Sequence, residues 1–296
     1  MATLQDIRRR IRAVSNTRKI TNAMELVAAA RLRRAEARIK QMRDYADRMQ
    51  ELTAGTARAA ASLRGLTLLQ RRDERTVAIV PLTGDRGLAG PFNAQILRRS
   101  LALERDLRAQ GREVRWLPVG RKGGSSLRFR RYELEASWTG FTDQPSYADA
   151  QAIAHRLADL YAREEIDRAV VVYNHYDSPL VQRVTEQDVL PISEEMLGRD
   201  DEAEEREALL GDFIYEPEPE QILERLLPVY LETELYRALL ESAASEHGAR
   251  MTAMRNASKN AGELITTLTL DLNRARQAEI TQEILEVVAG ADALTS

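Results

Sequence analysis

The sequence predicts an α plus α/β fold: a long antiparallel coiled coil of N- and C-terminal helices, with an α/β domain inserted between them. Three observations carry that expectation. Residues 3–60 contain no proline, only one glycine (Gly55), and apolar or small residues at alternating three- and four-residue spacing. The same spacing without proline returns after Pro228 and runs to the C-terminal end. Between these stretches, short β-rich runs alternate with helical ones, which is the pattern of a largely parallel sheet with crossover helices.

The N-terminal stretch starts with Thr3 and Asp6, an N-cap residue with an acidic group in the first helical turn. Its apolar stripe opens at Ile7, Ile11 and Val14, continues through Ile20, Met24 and Val27, and closes with Leu32, Ala35, Ile39, Met42, Ala46 and Met49. Read this way, the stripe slips phase near Arg18. About 55 helical residues at ~1.5 Å each span roughly 80 Å. Such a rod needs a partner helix, because isolated helices are marginal in water.

The C-terminal stretch supplies the partner through Met254, Ser258, Ala261, Ile265, Leu268, Leu272 and Ala275, with Ile280, Ile284 and Val287 following another slip. Two distal rods meet only if they run antiparallel. Gly248 and Gly262 each cost about 1 kcal/mol against alanine in a helix interior, so a close crossing is expected there. The residues expected to lie in the coiled-coil seam are Ile7, Ile11, Val14, Ile39, Met42, Ile265, Leu268 and Leu272.

In the middle, residues 76–82 (TVAIVPL) read as a buried strand and 91–110 as a helix stopped at Gly111. Residues 113–119 read as a second strand, 147–164 as a second helix, 167–173 as a third strand and 181–189 as a half-exposed fourth. That alternation describes a Rossmann-like α/β domain. The organisation is therefore 1–60 N-terminal helix, 70–192 α/β domain, 193–212 acidic loop and 213–296 C-terminal helix. The loop carries Asp200, Asp201, Glu202, Glu204 and Glu205 and reads as a solvated linker.

Composition narrows the function. There is no cysteine, which excludes a disulfide framework, a thiolate nucleophile and a cysteine metal site. No apolar run reaches membrane-spanning length, so direct membrane insertion is not expected. The Arg-rich start lacks an apolar secretory region, and a chain made in the cytoplasm is expected. Net charge is −3, but residues 1–60 hold 14 Lys/Arg against 6 Asp/Glu, while residues 191–250 hold 5 against 17. A basic helical arm fits either a nucleic acid or an acidic protein surface.

Candidate chemistry is sparse. The glycine-rich turn Gly84–Gly90 follows a strand and precedes a helix, yet its spacing is not that of a dinucleotide fingerprint. Residues Gly120–Ser126 are basic and glycine-rich but lack P-loop order. Both read as tight turns. His155, His175 and His247 lack metal-ligand spacing, and His175, Asp177 and Ser178 lie too close in sequence for a triad. No catalytic residue, metal or cofactor is expected. A nucleotide-binding enzyme on the α/β domain and a nucleic-acid-binding coiled-coil scaffold stand as rival classes.

Three motifs add a resemblance. Residues 6–11 (DIRRRI) and 17–30 (TRKITNAMELVAAA) resemble the opening helix of the γ subunit family of F-type ATP synthases. Residues 274–286 (RARQAEITQEILE), followed by Gly290-Ala291, are similar to that family's terminal signature. Asp85-Arg86-Gly87-Leu88 with Phe92-Asn93 matches its middle motif, although Gly84, Ala89 and Pro91 stand where the family usually has Ser, Cys and Gly. The resemblance implies a non-catalytic rotary shaft, present once per complex, on the cytoplasmic face of the cell membrane. It implies an α3β3 ring around the coiled coil, an ε subunit and a membrane c-ring at the globular end, and no nucleic acid. It also implies that Met24, Arg250, Arg276, Gln277, Thr281 and Glu283 face the ring. A rod with phase slips is curved, and would show each of three ring sites a different face.

Overall fold

The computed structural model describes residues 3–60, 62–63, 65–179, 181–193 and 216–295. The acidic residues Asp200 to Glu205 lie outside the described residues, as does the side chain of Ala291. The elements in chain order are α1 (Leu4–Ala59), a 3-10 turn (Thr67–Leu69), β1 (Thr76–Pro81), α2 (Phe92–Ala109), β2 (Glu113–Trp116), α3 (Arg121–Phe129), α4 (Tyr147–Ala162), β3 (Arg168–Tyr176), β4 (Gln182–Leu190) and α5 (Pro219–Thr295). They fall into two compact units: residues 1–28 with 250–296, and residues 29–249. Helices α1 and α5 each contribute to both.

The larger unit is built on a four-stranded sheet in the order β2-β1-β3-β4. β1 pairs in parallel with β2 and β3, and β4 closes the edge antiparallel to β3. β1 is buried on both faces, which is why it reads as an unbroken apolar run rather than an alternating one. One face carries Ala78, Val80, Leu117, Ala169 and Val171 against α4 and the start of α5. The other carries Val77, Ile79, Val170 and Val172 against α2 and α3 through Ile96, Leu107 and Leu127. Each such fully buried aliphatic side chain stabilises the fold by about 1.5–3 kcal/mol.

The element ends follow local chemistry. In α1 the Thr3 hydroxyl and the Asp6 carboxylate cap each other's backbone amides. Ser146 and Asp149 form the same reciprocal box at α4. Gly111 ends α2 at a φ of 77°, a left-handed turn that glycine adopts without Cβ strain. The second strand is shorter than the expected 113–119, although Leu117 and Val119 still donate to the β1 carbonyls of Ile79 and Pro81. A bridge pairs Leu82 with Val119 beyond it. β3 runs three residues past the expected Tyr173 because its partner in the β3–β4 hairpin extends the ladder to Tyr176. Helix α3 was not expected: its start is the glycine-rich stretch read as a turn. Pro219 opens α5, where a missing N–H is harmless, and Pro228 lies inside the helix.

In the smaller unit α1 and α5 run antiparallel. Glu25 pairs with Arg255 at 2.8 Å, and the Arg18 guanidinium lies over Gly262. Ile7, Thr21 and Ala28 are buried on α1, with Ile11, Val14 and Met24 half-buried. Met254 and Ala261 are buried on α5, with Ile265, Leu268, Leu272 and Ala275 half-buried.

These positions correct the expected phase slip near Arg18. Along α1 buried or half-buried residues run 7, 11, 14, 21, 25, 28, 32, 35, 39, 42, 46, and exposed Arg18, which lies over Gly262, fills the remaining place in the three-four alternation. Ile39 and Met42 are buried within it. Ile20 and Val27, taken as its middle, are 60% and 55% exposed. An unbroken seven-residue repeat is the pattern of a left-handed supercoil. Polar Arg18, Thr21 and Glu25 occupy the seam, and this disguises it when only apolar residues are followed.

Candidate functional site

The two glycine-rich stretches are the first place where a site could form, and the structure closes them on each other. The Thr83 hydroxyl donates to the Val119 carbonyl at 2.8 Å and accepts from the Gly123 amide at 2.8 Å. The Asp85 carboxylate accepts from the amides of Arg121 at 3.0 Å and Gly140 at 2.7 Å, and from the amide and hydroxyl of Thr142. Burial pushes the Asp85 carboxyl upward, but the hydrogen bonds from Arg121, Thr142 and Gly140 outweigh it and hold the group below the usual carboxylate range. The Lys122 amide donates to the Gly84 carbonyl. The amides at the start of α3, which a phosphate would use, are therefore already bonded to this chain. Gly120 permits the approach: its φ is 91°, and a Cβ there would overlap the Thr83 carbonyl.

The three histidines sit apart and each meets α5 or lies on it. His155 Nε2 is 3.1 Å from Glu232, His175 Nδ1 is 2.5 Å from Glu241, and His247 Nε2 is 3.1 Å from the Asp143 carbonyl. The Ser178 hydroxyl accepts from the Val181 amide inside the hairpin turn rather than facing His175. Among the described residues no group of His, Asp and Glu is arranged to hold a metal ion.

The remaining candidate surface is that of the paired helices in the smaller unit. Residues 3–28 hold six basic and two acidic side chains, and Arg8, Arg10, Arg12, Arg18 and Lys19 are exposed. Arg276, Gln277, Thr281 and Glu283 are exposed, and the Thr281 hydroxyl returns to the Gln277 carbonyl. Met24 is half-buried. Arg250 differs from the expectation: it is only 9% exposed, so most of its side chain faces this chain rather than an outside partner.

The register set by Arg18–Gly262 and Glu25–Arg255 puts Leu4 level with about residue 276, and among the described residues no helix is paired with α5 beyond it. Every residue from Arg276 to Ala289 is exposed. This corrects the reading of Ile280, Ile284 and Val287 as a resumed seam: they are 43%, 57% and 72% exposed because α1 has already ended. Exposed Ile20, Leu26 and Val27 on α1 were likewise missed as surface. Their signal was present, because counting on from Val14 in threes and fours lands on 18, 21, 25 and 28. An extended apolar surface of this kind marks an interaction site.

Comparison with known proteins is consistent along the whole chain. The ATP synthase family profile matches residues 3–294. An ATP synthase gamma chain from Rubrobacter xylanophilus is 48% identical over 296 residues, covering all of both chains. Another from Moorella thermoacetica is 44% identical over 294 residues, covering 99% of this chain and all of the other. Among solved structures, a chain in the central stalk and c-ring of Tetrahymena thermophila mitochondrial ATP synthase is 28% identical, with a TM-score of 0.59 over 81% of this chain and 99% of that one. A chain from the Euglena gracilis mitochondrial ATP synthase is 18% identical and shares the fold, with a TM-score of 0.70 over 98% and 94% of the two chains.

Proposed function

The chain belongs to the ATP synthase gamma-chain family, and from that premise we propose that it is the central shaft of a rotary F-type ATP synthase. In this role it couples ion flow through a membrane c-ring to ATP synthesis or hydrolysis on an α3β3 ring, with an ε subunit beside its globular end. The observation that carries the reading is full-length identity of 48% to a gamma chain, joined to a coiled coil whose two helices end at different levels.

That unequal ending supplies the asymmetry such a shaft needs. Where α1 pairs with α5 the rod is two helices wide; beyond Leu4 it is one helix, about 20 residues and roughly 30 Å long. A body without three-fold symmetry inside a three-fold ring offers each ring site a different contact energy, and only differential contact biases a conformational equilibrium. The uninterrupted seam means that this asymmetry does not come from phase slips. Exposed Arg276, Gln277, Thr281 and Glu283, with Met24 and the basic residues of α1, are the side chains suited to meet the ring. Charge-based contact steers orientation without deep, sticking interfaces.

The chain does no bond chemistry in this reading, and the self-bonded turns at Thr83 and Asp85 support that. The place is the cytoplasmic face of the cell membrane, held peripherally through the complex; no helix among the described residues is long and apolar enough to cross a membrane. The test is recovery of a tagged chain from membranes. α and β subunits should copurify in fixed ratio, and the isolated chain should not hydrolyse ATP. Recovery without them, or with nucleic acid in a salt-dependent manner, refutes the shaft.

A further inference from the structure

Within the larger unit, helix α5 meets the α/β domain through two kinds of surface. From Leu223 to Leu240 its buried face is mainly aliphatic, and its polar contacts with the domain are confined to one turn, where Glu232 meets Tyr147 and His155 on α4 and Glu234 meets Gln187 on β4. Over the next two turns it becomes polar. Glu241, Ser242, Ser245, Glu246 and His247 are all buried.

Together these groups meet several parts of the domain. Glu241 reaches His175 on β3, and the Ser245 hydroxyl donates to the Asn174 carbonyl at 2.9 Å. The Ser242 hydroxyl donates to the Leu82 carbonyl at 3.3 Å. The Glu246 carboxylate fills the space beside Gly84, where a Cβ would stand 2.7 Å from Oε1. His247 meets the Asp143 carbonyl, and a Cβ on Gly248 would stand 3.2 Å from the Pro179 carbonyl.

At about 100° per residue, these six positions leave no gap wider than about 100° around the helix. The end of β1, the end of β3, the 143 loop and the β3–β4 hairpin thus form a collar. The same collar holds α1: the Asp143 carboxylate pairs with Arg31, and the Tyr176 hydroxyl donates to Glu36.

An aliphatic face is non-directional and resists rotation only through the fit of its side chains. Hydrogen bonds weaken steeply when misaligned, so a polar collar resists rotation about the helix axis. Buried polar groups carry a desolvation cost that aliphatic residues would avoid, and register is their best-attested return. We infer that residues 241–248 form a torsional clamp that fixes the rotational angle of α5 against the α/β domain and passes torque between them. The inference rests on the shaft reading given above.

The experiment is single-molecule rotation of the assembled complex, with the ring immobilised and a bead on a single cysteine. The chain has no native cysteine, and Phe129 is 90% exposed, so Phe129→Cys gives one attachment point on the globular domain. Torsional stiffness is read from angular fluctuation during a stalled dwell. His175→Ala with Ser245→Ala should soften the linkage measurably, two of the four hydrogen bonds described above for the collar being lost. Ser245→Thr, which keeps the hydroxyl, should restore its share. Leu157→Val, a buried apolar change on α4, should lower thermal stability and leave stiffness unchanged.

Unchanged stiffness in the double variant overturns the clamp, and so does equal softening by Leu157→Val. If the double variant does not assemble, Ser242→Ala removes one bond alone, and it must soften the linkage for the clamp to stand. A wild-type complex that assembles but never rotates the bead refutes the shaft itself, which is a separate outcome.

Discussion

Arg18 lies across Gly262: a Cβ built on the glycine would sit 3.8 Å from the guanidinium carbon, in ordinary contact. The absence of a side chain at 262 is therefore not what lets the helices pair. Gly262→Ala should stabilise the protein by about 0.5–1 kcal/mol through helix propensity. Urea unfolding of the two proteins checks this, and a loss of stability would mean that the helices pack closer than described.

Gly248 predicts the opposite sign. A Cβ there meets the Pro179 carbonyl at 3.2 Å and the Gln182 amide nitrogen at 3.4 Å. The hairpin must move to admit it, so Gly248→Ala should gain helix propensity and lose more in packing, giving a net loss of about 1 kcal/mol or more. The same unfolding measurement, paired with Gly262→Ala, separates propensity from space.

Asp85 predicts a pH dependence. Its folded carboxyl lies below its unfolded value, so its contribution is fully present above the unfolded pKa of about 4 and is lost as pH falls through the folded pKa. Asp85→Asn should therefore be less stable than the parent by a constant amount from about pH 7 to pH 5, with the gap closing below about pH 4. Denaturation series at several pH values test this, and a gap that widens in acid would contradict the hydrogen-bond assignment.

Removing residues 276–296 should separate folding from coupling. Residues 276–289 are exposed and face no helix among the described residues, so thermal unfolding of the truncated chain should stay within a few degrees of the parent. In the reassembled complex, ATP-driven proton pumping should fall more than ATP hydrolysis. Parallel loss of both, with unchanged assembly, would argue against a transmitting role for this end.

The isolated chain should bind ATP and NAD weakly, with Kd above about 1 mM, because the amides at the start of α3 are bonded to Thr83 and Asp85. Thr83→Ala frees one of them and should still yield no tight site, since the Arg121 and Lys122 amides stay bonded to Asp85 and Gly84. Tight binding by the parent chain, measured by calorimetry, would reopen the enzyme reading.

Much of the architecture was legible from residues alone. The long helices follow from alternating spacing with few breakers, and β1 from an apolar run short enough to be a strand. The positions of α2, α4, β3 and β4 come within a few residues, their ends marked by Gly111, Ser146 and Pro91. Helix α3 was hidden because Gly123 and Gly124 are poor helix formers, and their compensation, the bonds from Thr83 and Asp85, comes from 36 to 40 residues away. The seam was mislocated because Arg18, Thr21 and Glu25 occupy apolar positions.

Local order was the sequence's to determine: periodicity, caps and breakers act over a few residues and can be read along the chain. Burial was decided only in three dimensions, because it depends on which distant surface arrives. That is why Ile20 and Ile284 are exposed while Glu241, Glu246 and Arg250 are buried. A side chain's hydropathy is its own property, but its neighbours are set by where α1 happens to end against α5 and by which loops close around residues 241–248.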